Sequence, residues 1–426
     1  MQKLLIKRAR IVNPAKSQDF IGDIYIENGH VSSIGEDLFE ISMKADQVID
    51  AHGLVAAPGI VDMHVHLRDP GFSEKEDIIS AGKAAAAGGV TSVLAMPNTK
   101  PAVDSKETID YILEKGQRSD THVYTSACIT KKLEGGVLCD FKELKDAGAI
   151  AFSDDGKPVL STDHLLKALT AAKELGLPIT AHCEDLSAAG DGIMNQGIVS
   201  EKLGVPGIPN AAEDCGTVRE IVAAASVNAP IHICHVSTRG SAALIRDAKK
   251  RGEAVTAETA PHYMLLTEDV LLSRDADFRM NPPLRTEEDR LAIIEALKDG
   301  TIDAIATDHA PHTAKEKLDF LSAPNGSIGM ETSLSAVLTA LDGIMSLQQI
   351  ITLMSVNPAK IMNIPAGVIE PGASADIVIF DENEQWVVDP DKLHGKSKNT
   401  PFKGMSLKGR VYYTICGGKL VYKLNP

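Results

Sequence analysis

Apolar residues take two textures along the chain. Through residues 58–365, near-continuous apolar runs recur, each followed by an Ala-, Leu- and Lys-rich stretch. The runs are GIVDMHVH (59–66), VTSVLAMPN (90–98), THVYTSACI (121–129), GAIAFSDD (148–155), LPITAHCED (177–185), APIHICHVS (229–237), GEAVTAETA (252–260) and TIDAIATDH (301–309). Runs that are apolar on both faces predict parallel strands covered on both sides. The stretches between them, such as EDIISAGKAAAAGG and DHLLKALTAAKELG, have helix propensity and helical apolar spacing. Eight strand–helix units in about 300 residues fit an α/β fold of the (β/α)8 TIM-barrel type. A doubly wound open sheet fits less well, because no GxGxxG or P-loop follows the first run. The longest span between runs, Leu186 to Asn228, reads as a loop at GVPGIPNAAED with room for a helix.

The two ends read differently. Residues 1–57 contain LLIKRARIV, DIYIENGHVSSIG and DQVIDAHGLVAAPG, which alternate and break at Asn-Gly or Gly turns. Residues 366–426 repeat that texture in ADIVIFD, QWVVD and RVYYTICGGKLVYK. Neither end has enough core alone, so both are expected to combine into one small composite β-sandwich domain beside the barrel. Two separate β flaps are the alternative.

Composition narrows the function. Hydrophobic residues make up 44% and charged residues 24%, as in an ordinary globular protein. No apolar run reaches the ~18 residues of a membrane span. Lys and Arg total 43 against 58 Asp and Glu, a formal charge of −15, with no basic stripe for nucleic acid. An anionic ligand therefore needs local positive charge. The six cysteines form no CxxC pair, and MQKLLIKRARIVNPAKSQDF lacks a signal-peptide core, so a reduced, cytoplasmic protein is expected.

Polar residues gather where the runs end, the catalytic face of a barrel. His64 and His66 end the first run; positions i and i+2 share a strand face, so both imidazoles point inward. Asp154 and Asp155 end the fourth, and as neighbours only one enters the site easily; the other reading is a helix cap. His182 ends the fifth, His235 the sixth and Asp308 the eighth. Alternation sends Cys183, Cys234 and His232 away from the face of these histidines, and His309 away from that of Asp308. Four histidines and two carboxylates suit zinc, with manganese, cobalt and iron also compatible. Six donors exceed the three protein ligands usual for one catalytic zinc, which favours two ions.

In this arrangement VDMHVHLRDPG, GGVTSVLAMPNTKP, AFSDDG, AHCED, CHVST, MNPPLR and ATDHAPHTAKEK resemble the amidohydrolase superfamily over essentially the whole chain, and within it the bacterial, aspartate-bridged dihydroorotase group. The resemblance implies a zinc-dependent cyclic-amide hydrolase of pyrimidine synthesis, interconverting N-carbamoyl-L-aspartate and L-dihydroorotate. It assigns His64 and His66 to one zinc, His182 and His235 to the other, and Asp155 as the bridge. Many cyclic amidohydrolases bridge with a carboxylated lysine, but no lysine stands at this strand end. Asp308 is implied as ligand and proton carrier. His66, Arg68, Asn98, Asn281, His312, Asn325 and Gly326 are implied as substrate contacts. Arg68 offers a planar fork for a carboxylate, or a structural ion pair with Asp69; Asn98 and Asn281 could instead be turn formers. Relatives often read APFGIVG where this chain reads APNGSIG, so Asn325 replaces an aromatic residue beside the substrate. The loop from His309 to Ile328 is expected to cover part of the substrate. A homodimer and association with aspartate transcarbamoylase enter by family analogy. The rival readings are a hydantoinase- or allantoinase-like enzyme, which needs no carboxylate grip, and a non-catalytic transcarbamoylase partner, expected to lack several of these ligands.

Overall fold

The computed structural model describes residues 3–36, 38 and 45–424. All eight apolar runs become parallel strands in chain order. The first four, Ile60–Val65, Val90–Ala95, His122–Ala127 and Ala151–Phe152, form one ladder. Thr180–Ala181, Ile231–Ile233, Val255–Thr259 and Ala304–Ile305 form a second. Single parallel bridges, Phe152 with Ile179 and Val65 with His309, join the two at both edges and close the TIM barrel. Several strands are only two residues long, because their polar C-terminal residues leave the ladder.

Helices cover the barrel and begin where side chains satisfy orphan N–H groups. Asp77 accepts from the N–H of Ile79 and Ser80 to start Ile78–Ala87. Ser161 caps Thr162–Leu175, which Gly176 ends at φ 69, a left-handed conformation suited to glycine. In the long 186–228 span, a short parallel pair (Met194–Asn195 with Gly207–Ile208) precedes the helix Asn210–Ser226.

The chain ends share one eight-stranded sheet. The join is antiparallel pairing of Val55–Pro58 with the start of Ile377–Val387. Alternation divides its two faces: Ile377 and Ile379 pack with Leu4, Ile6 and Ile24 in a separate core, whereas Val378 and Phe380 enter the barrel core. This is the β-sandwich domain. One difference from expectation lies here. ADIVIFD and QWVVD form a single strand, its register interrupted between Asp381 and Gln385. All six cysteines are free, and no described helix is long and apolar enough to cross a membrane.

Candidate active site

At the C-terminal barrel mouth the structure brings the six expected metal-ligand residues together around Asp155. Its Oδ1 lies 3.3 Å from His64 Nε2, 3.6 Å from His182 Nδ1 and 3.7 Å from His235 Nε2; its Oδ2 lies 3.5 Å from His66 Nε2. Asp308 Oδ1 lies 3.0 Å from His66 Nε2 and 3.6 Å from His64 Nε2. His182 Nδ1 and His235 Nε2 are 2.9 Å apart. Donors on a tetrahedral zinc with Zn–N of about 2.0–2.1 Å stand about 3.3 Å from one another, so these separations match a shared cation.

The outer nitrogens explain which atoms face inward. His64 Nδ1–H donates to Glu258 (2.8 Å), His66 Nδ1–H to Asn98 (2.8 Å) and His182 Nε2–H to Glu184 (3.3 Å). Each bond selects the tautomer whose lone pair points at the cluster. His64 Nε2 and Asp155 Oδ1 are buried with no hydrogen-bond partner. Orphaned acceptors are costly unless a cation takes them, so the donor set fits a divalent metal. Burial pushes the Asp155 carboxyl up, but the charges of His64 and His66 and contact with His235 hold it well below the usual range. Asp308 behaves alike: burial raises it, and His66 and its neighbours outweigh burial.

Two backbone positions of the metal cluster are strained. His235 has φ 37 and Asp308 φ 48, left-handed values for non-glycine residues, at about 1–3 kcal/mol each. The sixth strand ends at Ile233, so strand alternation does not reach His235. His232 nevertheless stays outside the cluster, as expected: its Nδ1 contacts Thr256 Oγ1 (2.8 Å), and its Nε2 lies 3.3 Å from Glu258, the residue that holds His64. Cys234 is buried beside His64 and Glu258 and does not line the cavity. Cys183 is buried, its thiol directed at the Ala181 carbonyl. His309 accepts from the N–H of Gly329, outside the cluster.

The seven expected substrate contacts all line one cavity of about 240 Å³ above the cluster. Arg68 (φ 60) donates through Nε to the Pro311 carbonyl (3.2 Å). It has no ion pair among the described residues, since Asp69 pairs with Lys115 instead. Burial pushes the Arg68 guanidinium down to about 10, so it stays charged. His312 Nε2–H donates to the Asn325 carbonyl (2.9 Å). Burial, with Arg68, Lys75 and Lys317 nearby, pushes His312 to about 3, so it is neutral. Asn281 Nδ2 donates to Glu184 (3.2 Å), and Asn325 Oδ1 is buried with no protein partner. Asp154 is drawn off by the N–H groups of Ile129 (2.8 Å) and Thr130 (3.1 Å), where it clamps a loop.

Three residues were not anticipated. Glu184 and Glu258 orient His182 and His64; their signal was a carboxylate at a buried strand end, in AHCED and TAETA. Asn399 is the third. Its Oδ1 accepts from the His312 N–H (3.1 Å), and its Nδ2 donates to the Gly326 carbonyl (3.1 Å). Lys317 Nζ anchors the same loop to the carbonyls of Ala276 (3.0 Å), Arg279 (3.2 Å) and Pro324 (2.9 Å). Burial pushes the Glu258 carboxyl up, but His232 and His64 hold it at about 2, so it is ionised. Glu258→Gln keeps the shape and loses the charge. Metal affinity should fall about 10–100-fold, read by titrating metal into stripped protein; unchanged affinity would leave Glu258 a packing residue.

The Amidohydrolase family pattern matches residues 55–421. A dihydroorotase of Geobacter metallireducens is 49% identical over 423 residues, covering 99% of both chains. One from Syntrophus aciditrophicus is 46% identical over 424 residues, again covering 99% of each. Among solved structures, an L-hydantoinase (dihydropyrimidinase) from Arthrobacter aurescens superposes with a TM-score of 0.88 at 25% identity, covering 100% of this chain and 97% of that one. The dihydropyrimidinase from Brevibacillus agri gives 0.85 at 26%, covering 99% and 95%.

Proposed function

The chain belongs to the amidohydrolase family, and on that premise we infer that it catalyses the reversible ring closure of N-carbamoyl-L-aspartate to L-dihydroorotate with loss of water. The full-length relatives named dihydroorotase support this reaction. The observation that carries the substrate assignment is Arg68, a half-buried cation with no carboxylate partner among the described residues, in the wall of a small cavity. A charge held there against desolvation is explained by an anionic ligand. The solved neighbours include hydantoinases, but a neutral hydantoin ring has no carboxylate for Arg68 to grip. The retained donor set argues against a merely structural partner.

We assign His64 and His66 to one divalent ion, His182 and His235 to a second, and Asp155 to both, with zinc the favoured metal on donor chemistry. Bound there, such ions supply acidified water and positive charge beside the amide carbonyl. The protein does the rest. In the Arg68 grip, the planar guanidinium takes the substrate carboxylate in two parallel bonds, and His312, neutral, offers the same group no competing charge. Asn281 is held by Glu184 through its nitrogen, so its carbonyl oxygen is the end for a ring N–H; the unpartnered Asn325 Oδ1 is a second acceptor. Asp308, ionised at rest, removes a proton from the attacking water and delivers it to the ring nitrogen as the carbon–nitrogen bond breaks. Ring closure runs the same transfers backwards. It consumes one proton, because the dianionic open form becomes a monoanionic ring, so falling pH favours closure.

Arg68→Lys keeps the charge but loses the fork. Charge-assisted hydrogen bonds of about 1.5–3 kcal/mol correspond to about a 10–100-fold loss in kcat/KM. The loss should appear mainly as a raised KM for dihydroorotate. An unchanged KM would remove Arg68 from the substrate site.

A further inference from the structure

A second group of metal-ligand side chains lies at the opposite end of the barrel. His122 opens the third barrel strand, Asp376 immediately precedes Ile377–Val387, and Cys416 ends Ser406–Cys416. Three remote parts of the chain thus meet where the β-sandwich rests on the barrel base. His122 Nε2 lies 3.0 Å from Asp376 Oδ1, and one ligand atom from each of His122, Asp376 and Cys416 falls within 4.8 Å of the other two. Asp376 and Cys416 are buried, while His122 is partly open. The N–H of Gly417 donates to Asp376 Oδ1 (2.7 Å) and fixes the carboxylate, the kind of outer support that ligating carboxylates carry. His122 and Cys416 border a cavity of about 600 Å³, larger than the active-site cavity and remote from it.

We propose that His122, Asp376 and Cys416 form a second metal site, selective for a zinc-like divalent ion. Imidazole, carboxylate and thiolate are the zinc donors, whereas magnesium and calcium take oxygen. Three protein ligands beside an open cavity leave a coordination position for water or a small ligand. The Asp376 carboxylate holds the His122 imidazolium up to about 10. Binding therefore releases two protons to solvent, one from Cys416 as the sulfur–metal bond forms and one from His122 as its nitrogen ligates. The ion would tie the barrel to the strands of the C-terminal segment, and it rests on no residue of the active site.

Sulfur separates the two sites experimentally, because none of the six ligands assigned at the active site is a cysteine. Cobalt(II) titrated into the full chain should produce a sulfur-to-cobalt charge-transfer band whose intensity corresponds to one ion per chain beyond the two of the active site. The band should disappear in Cys416→Ser and in His122→Ala, with dihydroorotate turnover preserved in both as the check on folding. His122 is partly exposed, so its variant keeps the test decisive if the buried cysteine resists replacement. A parent protein without the band at saturating cobalt overturns the proposal. So does a band that survives either substitution, which would place the sulfur donor elsewhere, as at Cys234 beside His64.

Discussion

Asp155→Ala is expected to lower kcat at least about 10³-fold and to cost the protein bound metal. Asp155 is the one side chain within 3.3–3.7 Å of all four cluster histidines. Removing it leaves four imidazoles whose inward nitrogens, among the described residues, meet one remaining carboxylate, Asp308, which reaches His66 and His64. Stabilisation of transition-state charge by metal is worth several kcal/mol, and each 1.36 kcal/mol is tenfold in rate. The fold should survive, because Asp155 stands at the barrel mouth and its Oδ1 makes no hydrogen bond to the protein. Elemental analysis beside kcat checks both halves. Full metal content with wild-type rate would mean that Asp155 bridges nothing.

Asp308→Asn should lower kcat about 10²–10⁴-fold, the usual worth of a positioned proton carrier. The amide has the same shape and can still present an oxygen toward His66, so metal content and KM should change little. Only the capacity to take and return a proton is lost. A variant that kept the parent rate would remove the proton role; one that lost its metal together with its rate would show that Asp308 acts here mainly as a ligand.

The sequence made the eight barrel strands legible because each is buried on both faces and reads as an apolar run. It also indicated that only one of Asp154 and Asp155 enters the site, since neighbours on a strand cannot face the same way; the preference for Asp155 came from the resemblance. The same rule does not carry past Ile233: at His235 φ is 37 and the strand has ended, yet His232 and Cys234 still lie outside the cavity, beside Glu258. Glu184 and Glu258 were passed over because a carboxylate in a strand-end motif looks like any acid until its imidazole partner is seen. Asn399 was beyond reach: it meets His312 and Gly326 across 87 and 73 residues, and no local pattern announces such a contact. The merging of ADIVIFD and QWVVD was hidden by Asp381–Glu384, a polar stretch that reads as a turn but is carried as an irregularity within one strand.

The most direct test is turnover of L-dihydroorotate and N-carbamoyl-L-aspartate by purified protein, with metal content measured on the same sample and hydantoin and allantoin as controls. The account predicts interconversion of the first pair, controls at background, and two divalent ions per chain at the active site. Full metal loading without dihydroorotate turnover, or preference for a neutral cyclic amide, would contradict it and shift attention to Arg68 and Asn325.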